Sequence, residues 1–214
     1  MVLIGLVGQN RVGKDTLAEV LTKKYGFKQY ALADPIKKIA KILFDFNEEQ
    51  LNGCLKEEID PKWNISPRQF YQQFGTEIMQ YDIYKYLPSL EEKVPSRHLW
   101  VKIMEQWVKE QQTLGFNNIV ISDIRFVHEA ASIRDMNGIL IKITRNSNNN
   151  NDNDNGNGND NDNDNDNKNE TNTHLSQKTI NDIPDDWIDY SIQNNTSYDE
   201  YKNKINQYIQ EFII

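Results

Sequence analysis

The sequence is poor in cysteine and has no long apolar run. Cys54 is the single cysteine among 214 residues, so a fold stapled by intrachain disulfides is excluded. The apolar stretch from Val2 to Val7 stops at Gly8, far short of the roughly 20 residues of a membrane span, and no basic region precedes it. We therefore expect a cytoplasmic protein without a membrane partner.

Positive charge is also scarce. The net charge is −8, with 32 Asp and Glu against 24 Lys and Arg. Residues 146–172 hold much of the excess, with 15 Asn, 6 Asp, one Glu and one Lys, so the remainder is close to neutral. An extended basic face that binds nucleic acid is therefore not expected. An anionic substrate must instead be bound by a few well-placed cations.

The tract at residues 146–172 is of low complexity. It contains almost no apolar side chain that could be buried, which predicts a disordered loop. We favour the interpretation that the tract is an expansion within a loop that has no function of its own. A metal-binding acidic loop and a partner tether are the functional alternatives.

Short apolar runs alternate with amphipathic stretches along the rest of the chain. The runs typical of buried parallel strands are residues 2–7, 27–32, 118–123 and 139–144, with a last short candidate at 187–193. Helical periodicity covers residues 16–25, 34–43, 98–112, 127–136 and 198–212. This alternation predicts one α/β domain over residues 1–214, with three α/β/α layers around a parallel sheet of about five strands.

Two helices have a clear apolar stripe, and one long segment is harder to interpret. The stripes are Ile36, Ile39, Ala40 and Leu43 in one helix and Trp100, Ile103, Met104 and Trp107 in another. Residues 47–95 are polar and broken by Gly53, Pro61, Pro67 and Pro88. This segment is predicted to be a mostly helical insertion.

The chemistry-bearing motif is the run Gly-Gln-Asn-Arg-Val-Gly-Lys-Asp-Thr at residues 8–16. It fits G-x-x-x-x-G-K and lies between a predicted strand and a predicted helix, the context that a phosphate-binding loop requires. Its glycines let backbone N–H groups surround phosphates, and the helix N-terminus adds partial positive charge. Lys14 can then bridge the outer phosphates. The motif predicts a nucleoside triphosphate site rather than an accidental glycine turn.

The residue after the lysine departs from the usual motif. Asp15 replaces the common Ser or Thr, and the hydroxyl comes one position later at Thr16, our candidate Mg²⁺ ligand. The order lysine, acidic residue, threonine is more typical of small-molecule and nucleotide kinases than of GTPases. A guanine-reading Asn-Lys-x-Asp motif does not follow any predicted strand.

Further blocks follow the loop in a defined order. They are Ala-Leu-Ala-Asp-Pro-Ile-Lys at 31–37, Ser-Pro-Arg-Gln at 66–69, Gly-Thr-Glu at 75–77, Trp-Val-Lys at 100–102, Asp-Ile-Arg at 123–125 with His128 and Glu129, and Thr-His-Leu-Ser at 173–176. Together with the loop, these blocks resemble the deoxynucleoside monophosphate kinases of the tailed-phage type. The resemblance implies transfer of the ATP γ-phosphoryl group to a deoxynucleoside monophosphate, with Mg²⁺, for DNA synthesis. It also suggests a viral source and leaves a homodimer open.

The resemblance and the chemistry of phosphoryl transfer suggest roles for individual residues. For the donor nucleotide we expect Arg11, Gly13, Lys14, Asp15, Thr16 and Arg145. For the acceptor we expect Asn10, Lys37, Arg68, Gly75, Thr76, Trp100, Asp123, Arg125 and Glu129. Lys14, Arg68 and Arg125 are the candidate catalytic residues. Residues 45–97 would form a helical acceptor cap, and residues 145–180 a lid that contains the Asn/Asp tract.

Four of these residues have ordinary structural alternatives. Arg68 could be a solvated surface arginine, and Glu129 a solvated helix residue. Asp123 could bind a metal or a sugar hydroxyl, or it could cap the following helix. Trp100 could stack on a base, although its spacing is more typical of a core residue.

Two other functions remain open at this stage. A kinase of another phosphorylated acceptor, such as phosphomevalonate, would use the same arginines. A nucleotide-binding switch would bind ATP tightly without an acceptor-dependent rate. The accepted bases cannot be read from one sequence.

Overall fold

A computed structural model describes residues 2–146 and 179–212, which form a five-stranded parallel sheet flanked by helices. The strands are β1 (Val2–Val7), β2 (Lys28–Tyr30), β3 (Asn118–Ile124), β4 (Ile139–Thr144) and β5 (Tyr190–Gln193), in the order β2-β3-β1-β4-β5. Every neighbouring pair is parallel. The predicted α/β class and five-stranded parallel sheet are confirmed. β5 is shorter than predicted because Asp185–Trp187 forms a 3₁₀ turn before it.

Eight α-helices lie within the described ranges. They are α1 (Lys14–Tyr25), α2 (Asp34–Phe44), α3 (Glu48–Leu51), α4 (Pro67–Gln72), α5 (Ile83–Tyr86), α6 (Leu99–Thr113), α7 (Val127–Asp135) and α8 (Tyr198–Phe212). A π-helix, Gln73–Asp82, continues α4 directly into α5. Further 3₁₀ turns are Cys54–Glu57, Pro88–Leu90 and Thr179–Asp182. The insertion between α2 and α6 is therefore mostly helical, as predicted.

The sheet is buried on both faces. Successive strand residues point to opposite sides, so Leu3 belongs to one apolar core and Ile4 to the other. The first core includes side chains of α2, α6 and α7, and the second includes those of α1 and α8. Burial on two faces explains why the strands are almost continuously apolar.

The α6 stripe is confirmed, whereas the α2 stripe is partly wrong. Trp100 and Met104 are buried in α6. In α2, Ile36 and Ala40 are buried, but Leu43 is 54% exposed. The next core-facing residue of α2 is Phe44 instead, because its ring packs against those of Phe46 and Phe70.

The predictions of a disordered tract and a lid fall almost entirely outside the described residues, and so does the block at 173–176. Among the helices that are described, none is both long and apolar enough to cross a membrane.

Candidate active site

The phosphate loop begins where β1 ends, at the carboxyl edge of the sheet. Gly8 has φ +154°, and a Cβ there would lie 2.5 Å from the Ile143 carbonyl oxygen, so a side chain would collide with β4. Gly13, with φ +108°, is the N-cap residue of α1, and no described side chain caps the start of this helix. The N-terminal N–H groups of α1 thus face an edge where ligands of parallel sheets gather.

Lys14 is buried inside the loop. Its Nζ donates to the carbonyl oxygens of Gly8 at 2.7 Å and Gln9 at 2.6 Å, which uses two of its three donors. Burial and, to a smaller extent, the positive charge of Arg125 lower the pKa of Lys14 to about 8, while Asp15 and Asp123 oppose this shift. The ammonium group is therefore held at a defined point of the loop.

Two residues from the C-terminal part of the chain support the loop, and we call them the brace: Asn194 and Tyr201 each donate a hydrogen bond to a loop carbonyl. The Asn194 side chain donates to the Val12 carbonyl at 2.9 Å, and the Tyr201 hydroxyl donates to the Gly13 carbonyl at 3.3 Å. A Cβ on Gly13 would lie 2.6 Å from Asn194 Nδ2 and 2.8 Å from the Tyr201 ring. Sequence reasoning missed both residues because nothing near them in sequence points to a loop about 180 residues away.

A cleft of about 670 Å³ lies in front of the loop. It brings together all nine residues predicted for the acceptor and three of those predicted for the donor: Asn10, Arg11, Lys14, Asp15, Lys37, Arg68, Gly75, Thr76, Trp100, Asp123, Arg125 and Glu129. Gly13, Thr16 and Arg145 are not among the lining residues. Polar lining residues that were not predicted include Gln29, Asp34, Lys56, Gln72, Gln80 and Ser122.

The end of β3 connects the loop to the acceptor side. The Arg125 guanidinium donates to Asn10 Oδ1 at 3.1 Å. Asp123 does not cap α7; instead its carboxylate accepts from the backbone N–H groups of Leu32 at 2.7 Å and Ala33 at 3.1 Å. Burial raises the pKa of Asp123, although these N–H donors and Arg125 work against the shift. Asp123 therefore positions the turn that leads from β2 into α2.

Glu129 is a buried residue and not a solvated one. It is 4% exposed, and its carboxylate accepts from the backbone N–H groups of Arg125 at 2.7 Å and Phe126 at 3.0 Å. Burial raises the pKa of Glu129 to about 8, against the opposing effect of these donors and of the Arg125 charge. The contacts fix the turn that presents the Arg125 side chain to the cleft.

Cations from separate elements converge on the other wall of the cleft. Ser66 caps α4 by accepting from the Gln69 N–H, and Pro67 occupies the first helical position, so Arg68 lies in the first turn. Arg68 Nε donates to Glu57 at 2.8 Å. Burial and, to a smaller extent, the charges of Arg68 and Lys37 lower the pKa of Lys56 to about 8, and all three cations line the cleft.

Trp100 belongs to the core. It is 4% exposed, and its Nε1 donates to the Gly75 carbonyl at 2.7 Å. A Cβ on Gly75 would lie 2.6 Å from Ile36 Cδ1, so this glycine permits close packing between the π-helix and α2. Both residues shape the cleft wall through packing.

The phosphate loop between β1 and α1, in a sheet of order β2-β3-β1-β4-β5, defines a P-loop kinase fold. The chain matches the family model described as "Deoxynucleotide monophosphate kinase" over residues 2–60 and 44–158. It is 36% identical over 148 residues to the "Putative deoxynucleotide monophosphate kinase" of Acanthamoeba polyphaga mimivirus, covering 68% of this chain and 75% of that protein. The chain belongs to the deoxynucleotide monophosphate kinase family.

It is therefore a phosphotransferase of nucleotide metabolism, which speaks against a non-enzymatic switch. The viral origin of this relative supports the prediction of a viral source. Among solved structures, dephospho-CoA kinase from Campylobacter jejuni superposes with a TM-score of 0.49 at 16% identity, covering 98% of this chain and 96% of that one. A Thermus thermophilus protein gives 0.44 at 13% identity, covering 100% and 98%. Likenesses of this size say nothing about the substrate.

Proposed function

We propose that this enzyme transfers the γ-phosphoryl group of ATP to a deoxynucleoside monophosphate and releases the deoxynucleoside diphosphate and ADP. One observation carries the proposal. The cleft in front of the phosphate loop is also lined by four cations from separate elements: Lys37, Lys56, Arg68 and Arg125. One phosphate-binding loop and one separate group of cations suit two phosphorylated ligands that face each other.

The loop side suits the donor. Lys14 and the N–H groups at the start of α1 would hold the β- and γ-phosphates. Asp15 and Asp123 supply the carboxylate oxygens that Mg²⁺ prefers, and both line the cleft, whereas the Thr16 hydroxyl is not among the lining groups. Bound Mg²⁺ neutralises charge on the transferring phosphates.

The opposite wall suits the acceptor. Arg68 and Arg125 would bind its phosphate as bidentate forks, and Lys56 and Lys37 would add point charges. An oxygen of this phosphate then attacks the γ-phosphorus. The bond between that phosphorus and the β–γ bridging oxygen breaks, and ADP leaves with the electron pair. The protein has no covalent step to perform, so its contribution is positioning and charge neutralisation.

The helical segment at residues 45–97 would act as an acceptor cap over this site. Closure of such a segment excludes water, so that the acceptor phosphate attacks in place of water. The cap provides Lys56, Arg68 and Thr76, three groups that line the cleft but lie far from the loop in sequence. We propose that the whole chain works as one domain of this kind.

The test is ADP release from Mg·ATP, measured without acceptor and then with each deoxynucleoside monophosphate, each ribonucleoside monophosphate and phosphomevalonate. We expect a rate that rises with at least one deoxynucleotide, with the matching diphosphate appearing in a chromatogram. The proposal would be contradicted by a rate that rises only with a ribonucleotide or with phosphomevalonate. It would also be contradicted by a rate that no acceptor changes.

A further inference from the structure

The cleft wall contains a buried acceptor atom that has no partner within the described protein. The buried side-chain atoms in this state, among the residues that the structure describes, are Tyr30 Oη, Gln80 Oε1 and Arg97 Nε. Of these residues, only Gln80 lines the cleft, and it is 5% exposed. An unsatisfied buried polar atom destabilises the folded protein, so its retention at a binding cleft points to a ligand that satisfies it.

The helix that presents Gln80 has an unusual buried face. The buried residues of the π-helix are Gly75, Thr76 and Gln80. With hydrogen bonds from residue i to i+5, residues four and five apart share one face of such a helix. Buried helix faces are normally apolar, yet this one carries a hydroxyl and an amide. Its composition suits contact with a polar ligand better than packing in a core.

The backbone at Gln80 is anchored by two hydrogen bonds. Its carbonyl accepts from the Arg97 N–H at 3.0 Å and from the Ser96 hydroxyl at 3.4 Å. The Arg97 guanidinium in turn lies 5.7 Å from the Tyr81 ring centroid and 5.5 Å from that of Phe126. These contacts hold the backbone in place while the amide oxygen remains unbonded.

Gln80 also lies at a suitable distance from the acceptor cations. It comes 12 residues after Arg68 along the continuous α4 and π-helical segment. At no more than about 1.5 Å of rise per residue, the two residues lie at most about 18 Å apart along the axis. Both residues line the same cleft, so a nucleotide whose phosphate is bound by the long Arg68 side chain would place its base on the side of Gln80.

We propose that Gln80 determines base specificity by accepting an N–H from the hydrogen-bonding edge of the acceptor base. This inference rests on the proposed function, because it needs a nucleoside monophosphate in the cleft. Because the backbone of Gln80 is buried and anchored, its amide oxygen has a fixed position. It therefore favours a base whose N–H lies within hydrogen-bonding distance of that position. A base that lacks this N–H leaves the amide oxygen unpaired, which lowers its kcat/KM.

The experiment compares kcat/KM for the four deoxynucleoside monophosphates in the wild type, in Gln80→Met and in Gln73→Met. Methionine keeps the size of Gln80 and removes the amide. We expect the ratio between the best and the worst base to fall about 10- to 100-fold, with the KM for ATP unchanged. Gln73 is exposed on the same π-helix, outside the cleft lining, so Gln73→Met should keep the wild-type ratio.

A folded Gln80→Met enzyme that keeps the wild-type ratio overturns the inference, and so does a wild type that treats the four bases alike. If Gln80→Met does not fold, Gln80→Asn provides the same test, because it withdraws the amide by one methylene. A wild type without any acceptor-dependent rate would instead contradict the proposed function itself. The two failures are thus distinguishable.

Discussion

The two walls of the cleft are built in different ways. The loop wall comes from nine consecutive residues, 8–16, and its cation Lys14 is bound to two loop carbonyls within 2.7 Å. The acceptor wall draws Lys37, Lys56 and Arg68 from three separate elements. Arg68 there has an ion pair with Glu57, whose side chain is 65% exposed. The loop wall is thus formed by consecutive residues, while the acceptor wall exists only once distant elements have packed together.

The largest expected effect tests the loop wall. Lys14→Ala should lower kcat by about 1,000-fold or more, because the cation on the transferring phosphates is lost. The coupled assay with saturating ATP and acceptor measures this loss. Circular dichroism and the melting temperature show whether the fold survives. A folded Lys14→Ala enzyme with near-normal kcat would mean that the loop does not act on phosphate.

The second effect separates the two walls kinetically. Arg68→Met should raise the KM for the acceptor, with a loss of about 100-fold in kcat/KM, because a charged hydrogen-bonding fork is removed. The KM for ATP should change little. Lys23→Met is the control, since Lys23 is exposed and its ion pair among the described residues is with Glu19 on α1. If Arg68→Met changed both KM values equally, the walls would not divide donor from acceptor.

The third effect tests how much the packing of Asn194 and Tyr201 against the loop contributes to the free energy of unfolding. Gly13→Ala combines a left-handed backbone with a Cβ 2.6 Å from Asn194, so we expect a loss of about 2–4 kcal/mol in unfolding free energy. The matched control is Gly26→Ala: Gly26 has φ +71°, an added Cβ would meet no other part of the described chain within 4 Å, and the change should cost about 1 kcal/mol. Urea unfolding measures both. Equal losses in the two variants would show that the brace behind the loop contributes nothing.

The smallest effect concerns pH and His128, whose ring stacks on that of Phe126, a residue that lines the cleft. Burial and, to a smaller extent, the charges of Arg97 and His98 lower the pKa of His128 to about 4, while a hydrogen bond with the Arg97 backbone acts in the opposite sense. The unfolded state then binds a proton near pH 6.5 while the folded state does not. His128 therefore stabilises the fold fully above that pH, and its contribution is lost as the pH falls toward 4.

Between pH 7 and 5.5 this loss should reach about 1 kcal/mol in the wild type relative to His128→Phe. Urea unfolding at the two pH values gives the difference between the proteins, which removes the contributions of other groups. Parallel pH dependences in the two proteins would show that His128 is as accessible to protons in the folded state as in the unfolded one.

The loop wall could be predicted from sequence because its determinants are consecutive. Glycines, lysine, the preceding apolar strand and the following helix all lie within residues 2–25. β4 was predicted to the residue and β3 to within one, since buried parallel strands are short apolar runs between breaks. Arg68 depended on the order of blocks along the chain, because an isolated arginine at a helix start has no signal of its own.

The remaining parts of the site come from tertiary packing. Lys56 follows no motif, and only the folded chain brings it beside Arg68 and Lys37. Gln80 belongs to a π-helix, whose wider turn places it on the face of Gly75 and Thr76, and an α-helical periodicity does not reveal this. Leu43 was wrongly assigned to the core because Phe44 turns inward in its place.

The brace behind Gly13 also constrains when the enzyme can first bind nucleotide. Its two members, Asn194 and Tyr201, lie 182 and 188 residues after their partners in the loop. A ribosome that adds 5–20 residues per second needs about 10 to 40 s to pass from the loop to these residues. The loop thus leaves the ribosome well before the residues that support it. A ribosome-bound chain that stops before α8 should bind ATP poorly, although it carries the complete motif.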